Sequence, residues 1–106
     1  MSYRFMRTIV FFDLPVATTQ DRREYSRFHR FLIKSGFIMM QESVYCKLTL
    51  NATVQSSLLN NIRKNRPSKG VVQILNVTEK QYSRIEYLVG HYNGDVVNSD
   101  ERLIEL

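Results

Sequence analysis

The chain has 106 residues, a mass of 12.5 kDa and a formal net charge of +5, with 43% apolar and 24% charged residues. This size corresponds to one domain, the composition excludes wholesale disorder, and no apolar run approaches the roughly 20 residues of a membrane span. The first residues lack the apolar region and cleavage site of a signal peptide. The single cysteine, Cys46, excludes an intrachain disulfide, and with only His29 and His91 beside it a closed zinc site is excluded too. We therefore expect a cytoplasmic protein without a membrane attachment.

The charge is unevenly distributed along the chain. Residues 1–47 carry a net charge of +4 and residues 48–84 a net charge of +5, whereas residues 85–106 carry −4. A basic body suggests a polyanion as partner, and an acidic tail suggests a protein. A solvated, soluble surface explains the charge alone equally well.

The first two predicted elements are a strand and a helix. Met6 to Asp13 is short, rich in β-branched and aromatic residues, and stopped by a proline two residues later, which predicts a strand buried on both faces. Residues 20–35 place apolar side chains three or four positions apart, follow a pair of threonines, and end at Gly36. This pattern predicts a helix.

Two strands, a second helix and a fourth strand follow. Phe37 to Gln41 and Ser43 to Leu50 are predicted to be neighbouring antiparallel strands, and the second alternates cleanly between two sets of side chains. Asn51 caps a helix that ends before Pro67. Val71 to Val77 is the fourth strand.

The end of the chain predicts an appendage. Thr78 to Gln81 has the spacing of a capping box and opens a short helical turn, and Ile85 to Val89 is a weaker strand. An Asn93-Gly94 turn signal and a final apolar stretch from Leu103 complete the sequence. We assign residues 1–78 to the core and residues 79–106 to a C-terminal turn, strand and acidic tail of the same domain.

The order of these elements predicts an α+β, ferredoxin-like split βαβ fold, with both helices on one face of an antiparallel sheet. Two helices cover one face, yet Ile9 to Phe12 and Phe37 to Met40 are apolar on both. Such an uncovered patch predicts a symmetric homodimer. The tail could cover it instead, in a monomer.

Asp13 is the acid at the end of the first strand, where rigid structure meets a loop. The simpler interpretation is that it caps the turn at Leu14-Pro15. If a dimer axis passes nearby, two Asp13 carboxylates face each other and need a cation between them, for which Mg²⁺ or Mn²⁺ is suited.

The first helix carries a basic face. Arg23, Arg27, Arg30 and Lys34 recur at spacings of four, three and four, with Arg22 at the edge. This stripe is about 16 Å long at 1.5 Å per residue. Over that length a DNA duplex presents roughly ten phosphate charges, and arginine is well suited to bind them. The alternative is a solvated helix face. A second basic cluster, which can extend the stripe, consists of Arg63, Lys64, Arg66 and Lys69.

Two further residues have simple interpretations. Cys46 alternates with Val44 and Leu48 and is expected to be a buried thiol rather than a nucleophile. His29 lies on the flank of the first helix with no partner evident from the sequence.

Several short motifs occur in a specific order over nearly the whole chain. These are Phe11-Phe12-Asp13-Leu14-Pro15, the arginine-rich first helix, Gly36-Phe37, Gln41-Glu42-Ser43-Val44-Tyr45, Thr78-Glu79-Lys80-Gln81 and Asn98-Ser99-Asp100-Glu101-Arg102. Together they resemble the small CRISPR-associated adaptation protein, a ferredoxin-like dimer that accompanies the CRISPR spacer integrase. The last two motifs look like the type II branch of that family.

The resemblance implies that Asp13 binds Mg²⁺ jointly with its copy in the other subunit. Family members are described as metal-dependent endonucleases of RNA or DNA, and as non-catalytic bridges between integrase subunits and the protospacer duplex. Many members place a tyrosine before the aspartate, whereas this chain has Phe12, a departure expected to remove a hydroxyl from the site.

Three functional hypotheses follow. The first is a dimeric adaptor in spacer acquisition that holds double-stranded DNA by its phosphates. The alternative is a Mg²⁺-dependent endoribonuclease centred on paired Asp13, and the third is a module that binds single-stranded RNA on its sheet. The acidic tail is expected to bind the integrase subunit through Asp100, Glu101, Leu103, Ile104 and Leu106.

Overall fold

The computed structural model describes residues 5–91, which form a four-stranded antiparallel sheet, two long helices and a short third helix. In chain order the elements are β1 (Met6–Asp13), α1 (Thr19–Lys34), β2 (Ile38–Gln41), β3 (Val44–Thr49), α2 (Ala52–Lys64), β4 (Val71–Thr78) and α3 (Glu79–Tyr82). The strand order across the sheet is β2-β3-β1-β4, so that β1 pairs with β3 on one edge and with β4 on the other. This topology confirms the predicted ferredoxin-like, α+β fold.

Both long helices begin where the sequence pattern indicates. The Thr18 side chain accepts a hydrogen bond from the backbone N–H of Asp21, whose carboxylate accepts one from the Thr18 N–H in return. The Asn51 side chain accepts a hydrogen bond from the Val54 N–H at 2.9 Å and opens α2. These side chains pair with first-turn N–H groups that have no acceptor within the helix. After α1, Gly36 adopts a φ of +95°, a left-handed conformation that favours glycine.

The core lies between the two long helices and one face of the sheet. Because side chains alternate along a strand, Val10 and Phe12 of β1 point to this face together with Tyr45 of β3. The ring centroid of Phe12 lies 5.3 Å from that of Phe28 and 5.5 Å from that of Tyr45. Full burial of one such large apolar side chain stabilises a fold by about 1.5–3 kcal/mol. The buried cluster consists of Val10, Phe12, Leu14, Phe28, Leu32, Phe37, Tyr45, Leu58 and Ile62.

The opposite face of the sheet is also apolar and is covered only in part. Ile9 pairs with Cys46 on one side and with Leu75 on the other, and Ile9 and Cys46 are both buried. Toward the edges, 41% of Leu48 and 50% of Leu75 remain exposed. The predicted apolar surface that the two long helices leave open is therefore present in residues 5–91.

Helix α3 covers part of this open face through Arg7. Nε of Arg7 donates to Oε1 of Glu79 at 2.7 Å, and its guanidinium carbon lies 4.2 Å from the centre of the Tyr82 ring. Burial alone lowers the pKa of Arg7, but the hydrogen bond and charge of Glu79 outweigh it and hold that pKa above its ordinary value. The α3 turn itself opens with the predicted capping box between Thr78 and Gln81.

The predicted strand from Ile85 to Val89 is wrong. The segment contains no strand, and 86% of Leu88 and 91% of Val89 are exposed. Its apolar residues suit a strand. A strand, however, needs a neighbouring strand to supply hydrogen-bond partners, and no strand within residues 5–91 pairs with this segment. The predicted elements after residue 91 lie outside the described residues.

The helices of the described segment also bear on the expected absence of a membrane span. None of those between residues 5 and 91 is long and apolar enough to cross a bilayer.

We expect Gly70→Ala to lower the free energy of unfolding by about 1–3 kcal/mol more than Gly90→Ala. A Cβ atom at Gly70 would lie 2.6 Å from the carbonyl oxygen of Asp13 and 2.8 Å from Cδ2 of Leu14. Gly90 has nearly the same φ, +89° against +88°, but open space around its Cβ position, so it carries the backbone strain without the clash. Urea unfolding of both variants measures the difference, and equal losses would contradict the tight approach of Gly70 to β1.

Candidate nucleic-acid interface and acidic site

Asp13 is the last residue of β1, and its backbone pairs with Val71, the first residue of β4. The side chain is exposed, and it forms no hydrogen bond or ion pair with the rest of residues 5–91. The described residues therefore give no support to the interpretation that Asp13 caps the Leu14-Pro15 turn. The rigid, doubly paired strand holds a free carboxylate at the edge of the molecule.

Phe12 lies on the other side of β1 from Asp13. It is buried in the core, and its ring contacts those of Tyr25, Phe28 and Tyr45. A tyrosine side chain at this position would point toward the core, on the opposite side of the strand from the Asp13 side chain. The expectation that Phe12 removes a hydroxyl from the acidic site is therefore wrong, because adjacent strand residues face opposite ways.

Asp13 is the carboxylate that one chain is predicted to supply to this site. No group of three or more histidine, cysteine or acidic side chains that could hold a metal ion occurs in residues 5–91. A carboxylate is the hard oxygen ligand that Mg²⁺ prefers, but divalent sites usually use more than one such ligand. The donor set therefore fits half of a metal site, and a second molecule would have to supply the other half.

The outer face of α1 carries free cations. Arg23, Arg30 and Lys34 are exposed and form no hydrogen bond or ion pair within the described residues, whereas Phe28 and Leu32 of the same helix are completely buried. A shallow depression runs along this face, and its lining includes Thr19, Arg22, Arg23, Ser26, Arg27 and Arg30. The predicted division of α1 into a basic and an apolar side is confirmed.

Two other arginines of the predicted basic face, Arg22 and Arg27, form hydrogen bonds within the protein. Nη1 of Arg22 donates to the carbonyl oxygens of Val16 and Ala17 at 3.1 and 3.2 Å, at the start of α1. Arg27 pairs with Glu24 at 3.1 Å and also donates to a carbonyl oxygen at the end of α2. These contacts leave both guanidinium groups less available to a polyanion than those of the free cations.

The predicted cations after α2 lie against α1. Nη1 of Arg66 donates to the carbonyl oxygen of Arg63 at 2.8 Å, and the Arg66 side chain is exposed. Lys69 reaches the carboxylate of Asp21 with an Nζ–Oδ1 distance of 3.5 Å. The predicted second basic cluster is therefore next to the first. The predicted partner-binding residues of the tail, by contrast, are outside the described residues.

The two acids of α1 are both engaged. The backbone N–H of Thr18 donates to the Asp21 carboxylate, and this bond, with the Thr18 hydroxyl and the Lys69 ammonium, holds the pKa of Asp21 below its ordinary value in spite of burial. Glu24 is paired with Arg27. Since neither carboxylate is free, the unpaired charge on the outer face of α1 is positive.

His29 has a partner that the sequence analysis missed. Its Nδ1 lies 2.6 Å from the hydroxyl of Tyr45, whose ring is buried. Burial raises the pKa of the Tyr45 hydroxyl, with smaller contributions from Tyr25 and Glu42. The alternation of the third strand, which places Tyr45 on the face of Val10, was the available signal for this contact.

Cys46 is buried, as predicted, but on the open face of the sheet. Its Sγ lies 3.6 Å from Nη1 of Arg7 and 3.7 Å from the Tyr82 hydroxyl. The thiol therefore belongs to the contact between α3 and the sheet, not to the core beneath the long helices.

Comparison with known proteins gives a consistent result. Residues 6–85 match the family model described as CRISPR associated protein Cas2. A relative from Treponema denticola, named CRISPR-associated endoribonuclease Cas2, is 54% identical over 101 residues, which cover 95% of this chain and 100% of the relative. Relatives of the same name from Ligilactobacillus salivarius and Streptococcus mutans are 46% and 44% identical over 101 residues. These alignments cover 95% of this chain and 100% and 93% of the two relatives, respectively.

A solved structure has the same fold. It is described as a crystal structure of cas2 and superposes with a TM-score of 0.57, covering 87% of this chain and 94% of that chain. The sequences are 22% identical, so this likeness concerns the fold alone.

Proposed function

Because the chain belongs to the CRISPR-associated Cas2 family, we propose that it acts in CRISPR spacer acquisition as a dimeric adaptor. In this role the dimer holds double-stranded protospacer DNA by its phosphate backbone and bridges the subunits of the integrase. The proposal extends the family membership to a mode of action, and it rests on the surface of the described residues.

The observation that carries the proposal is the row of free cations on α1. Arg23, Arg30 and Lys34 project from one face of a helix whose other face is fixed in the core. The first and the last lie eleven positions apart, about 16 Å along the helix axis, a length over which duplex DNA presents roughly ten phosphates. Contacts of this type position a duplex without reading its bases, as an adaptor for arbitrary spacer sequences requires.

The open face of the sheet supports the dimeric state. Leu48, Val71 and Leu75 each expose two-fifths or more of their surface there. Monomeric proteins rarely leave a continuous apolar surface of this kind in water, and a second copy would cover it.

A Mg²⁺-dependent endoribonuclease is the second candidate function. Relatives carry the word endoribonuclease in their names, and Asp13 is a free carboxylate at a fixed position. In this version two Asp13 side chains, one from each copy, would bind Mg²⁺, with Mn²⁺ as a substitute, and bound metal would stabilise charge on a phosphodiester. The adaptor ranks first, since residues 5–91 of one chain contain no group of three or more potential metal ligands around Asp13.

A single-strand RNA-binding module ranks third. Such modules stack bases on aromatic side chains of the sheet. The open face here has Phe11 among mainly aliphatic neighbours, such as Ile9, Val44 and Leu48.

We expect duplex binding to be independent of sequence and to fall roughly a thousandfold between 50 and 200 mM salt, for about six phosphate contacts. The Arg23→Gln/Arg30→Gln double variant loses these two contacts in each subunit, four in the dimer, so the log–log salt slope should become shallower by about 3.6. Fluorescence anisotropy with two unrelated duplexes measures both effects. Arg84→Gln, which removes an exposed charge after α3, is the control and should keep the wild-type slope. Binding that is independent of salt would overturn the proposal.

We expect Asp13→Ala to support spacer integration in vitro at the wild-type level, because an adaptor requires the surface and not a reacting carboxylate. The assay uses purified integrase subunit, and light scattering first establishes that both proteins are dimers. Glu86→Ala, which removes an exposed carboxylate elsewhere, is the matched control. Integration that is lost only in Asp13→Ala would place the endonuclease first, provided that repurified wild-type protein cleaves RNA and the variant does not.

We expect a chain truncated after residue 98 to lose its association with the integrase subunit and to remain a dimer. Residues 99–106 combine acids with Leu103, Ile104 and Leu106, which suits an added strand or apolar anchor on a partner. Size-exclusion chromatography of the mixture measures the association, and retained association would place the contact on another surface.

A further inference from the structure

We infer that Arg27 is a positioning residue of the proposed DNA-binding surface. Instead of contacting phosphate, it fixes the basic end of α2 beside the free cations of α1, so that two helices present one continuous row of charge. This inference rests on the proposed function, and it concerns how the surface is assembled.

The Arg27 guanidinium donates to three acceptor groups, one carboxylate and two carbonyls, and so links α1 to the end of α2. Nη2 lies 3.1 Å from Oε1 of Glu24, and Nε lies 3.4 Å from Oε2 of the same carboxylate. Nη1 donates to the carbonyl oxygen of Asn65 at 3.1 Å, and Nη2 lies 3.5 Å from that of Arg66. These carbonyls follow α2 directly, where helix geometry leaves acceptors without intrahelical donors and the helix dipole is negative.

A second contact ties the same segment to α1. Lys69 reaches Asp21, which lies near the start of the helix. Residues 65–69 are therefore bound to α1 at two points, more than one helical turn apart. Arg66 belongs to this tethered segment, and Arg63 and Lys64, which are exposed, are the last two residues of α2 before it. Arg27, which holds the segment, lines the depression on α1 together with Arg23 and Arg30.

The chemistry of the contact requires arginine. A guanidinium is a planar fork with five N–H donors, so it can bind a carboxylate and two carbonyls together. A lysine at position 27 keeps the charge but cannot reproduce this arrangement. Direct binding to a phosphate would require Arg27 to release acceptors that it already holds. Positioning and direct contact therefore make different predictions for Arg27→Lys.

The test is a set of double-mutant cycles for duplex binding at fixed salt. In the wild-type background we expect Lys64→Gln, which removes an exposed cation without a partner in the described residues, to weaken binding about three- to tenfold, the effect of one charged contact. In the Arg27→Lys background the same change should cost less than about twofold, because the end of α2, which carries Lys64, is no longer held beside α1. Arg23→Gln should cost the same in both backgrounds, since α1 supports it independently. Arg84→Gln is the charge-matched control and should have no effect in either.

A second measurement separates positioning from global destabilisation. In Arg27→Lys, hydrogen exchange should accelerate at the amides of Asn65 and Arg66, which bond to carbonyls of α2, and remain unchanged in β1. Faster exchange throughout the sheet would mean that the contact is merely structural, and it would overturn the inference.

The remaining outcomes are distinct. Full affinity in Arg27→Lys, with an unchanged cost for Lys64→Gln, would make Arg27 a simple phosphate contact and overturn the positioning role alone. A wild-type affinity that does not depend on salt would overturn the DNA-binding proposal and the inference with it.

Discussion

Strand β1 is hydrogen-bonded on both edges, to β3 and to β4, and its side chains therefore alternate between two surfaces of unlike chemistry. Val10 and Phe12 enter the core beneath the long helices, whereas Ile9 lies on the open face and Asp13 ends the strand in solvent. A shift of one residue in this register would exchange the two sets. The packing of the core thus fixes the position of the free carboxylate.

The same rigid core divides the cations of α1. Phe28 and Leu32 are completely buried and fix the helix against the core, so that charged residues occupy its outer side. Some of these, such as Arg27, are used to hold neighbouring segments, whereas Arg23 and Arg30 have no partner in the described structure. A basic stripe that is uniform in the sequence therefore has two kinds of members in the fold, and only the unpaired kind can bind a polyanion without breaking a protein contact.

Local signals in the sequence predicted most of the fold. The bounds of β1, the cap at Asn51 and the turn after Thr78 depend on nearby residues, and each was recovered. The sequence left two threonines as the cap of α1, and the structure selects Thr18. The contacts of Arg27 with Asn65, and of Arg7 with Glu79, join residues 38 and 72 positions apart. No period or spacing in one sequence indicates such pairs. For the same reason, the segment after α3 was predicted to be a strand from its local composition, although no strand within residues 5–91 pairs with it.

The pairing of β1 has a further consequence for how the chain folds. Met6 pairs with Thr78, so the central strand obtains one of its two neighbours 72 residues later in the sequence. At a synthesis rate of about 5–20 residues per second, β4 is synthesised several seconds after β1. During that time an eight-residue strand, apolar on both sides, has an open edge. Aggregation through β1 is therefore most favoured before synthesis is complete, and early packing of α1 and pairing of β3 with β1 limit it.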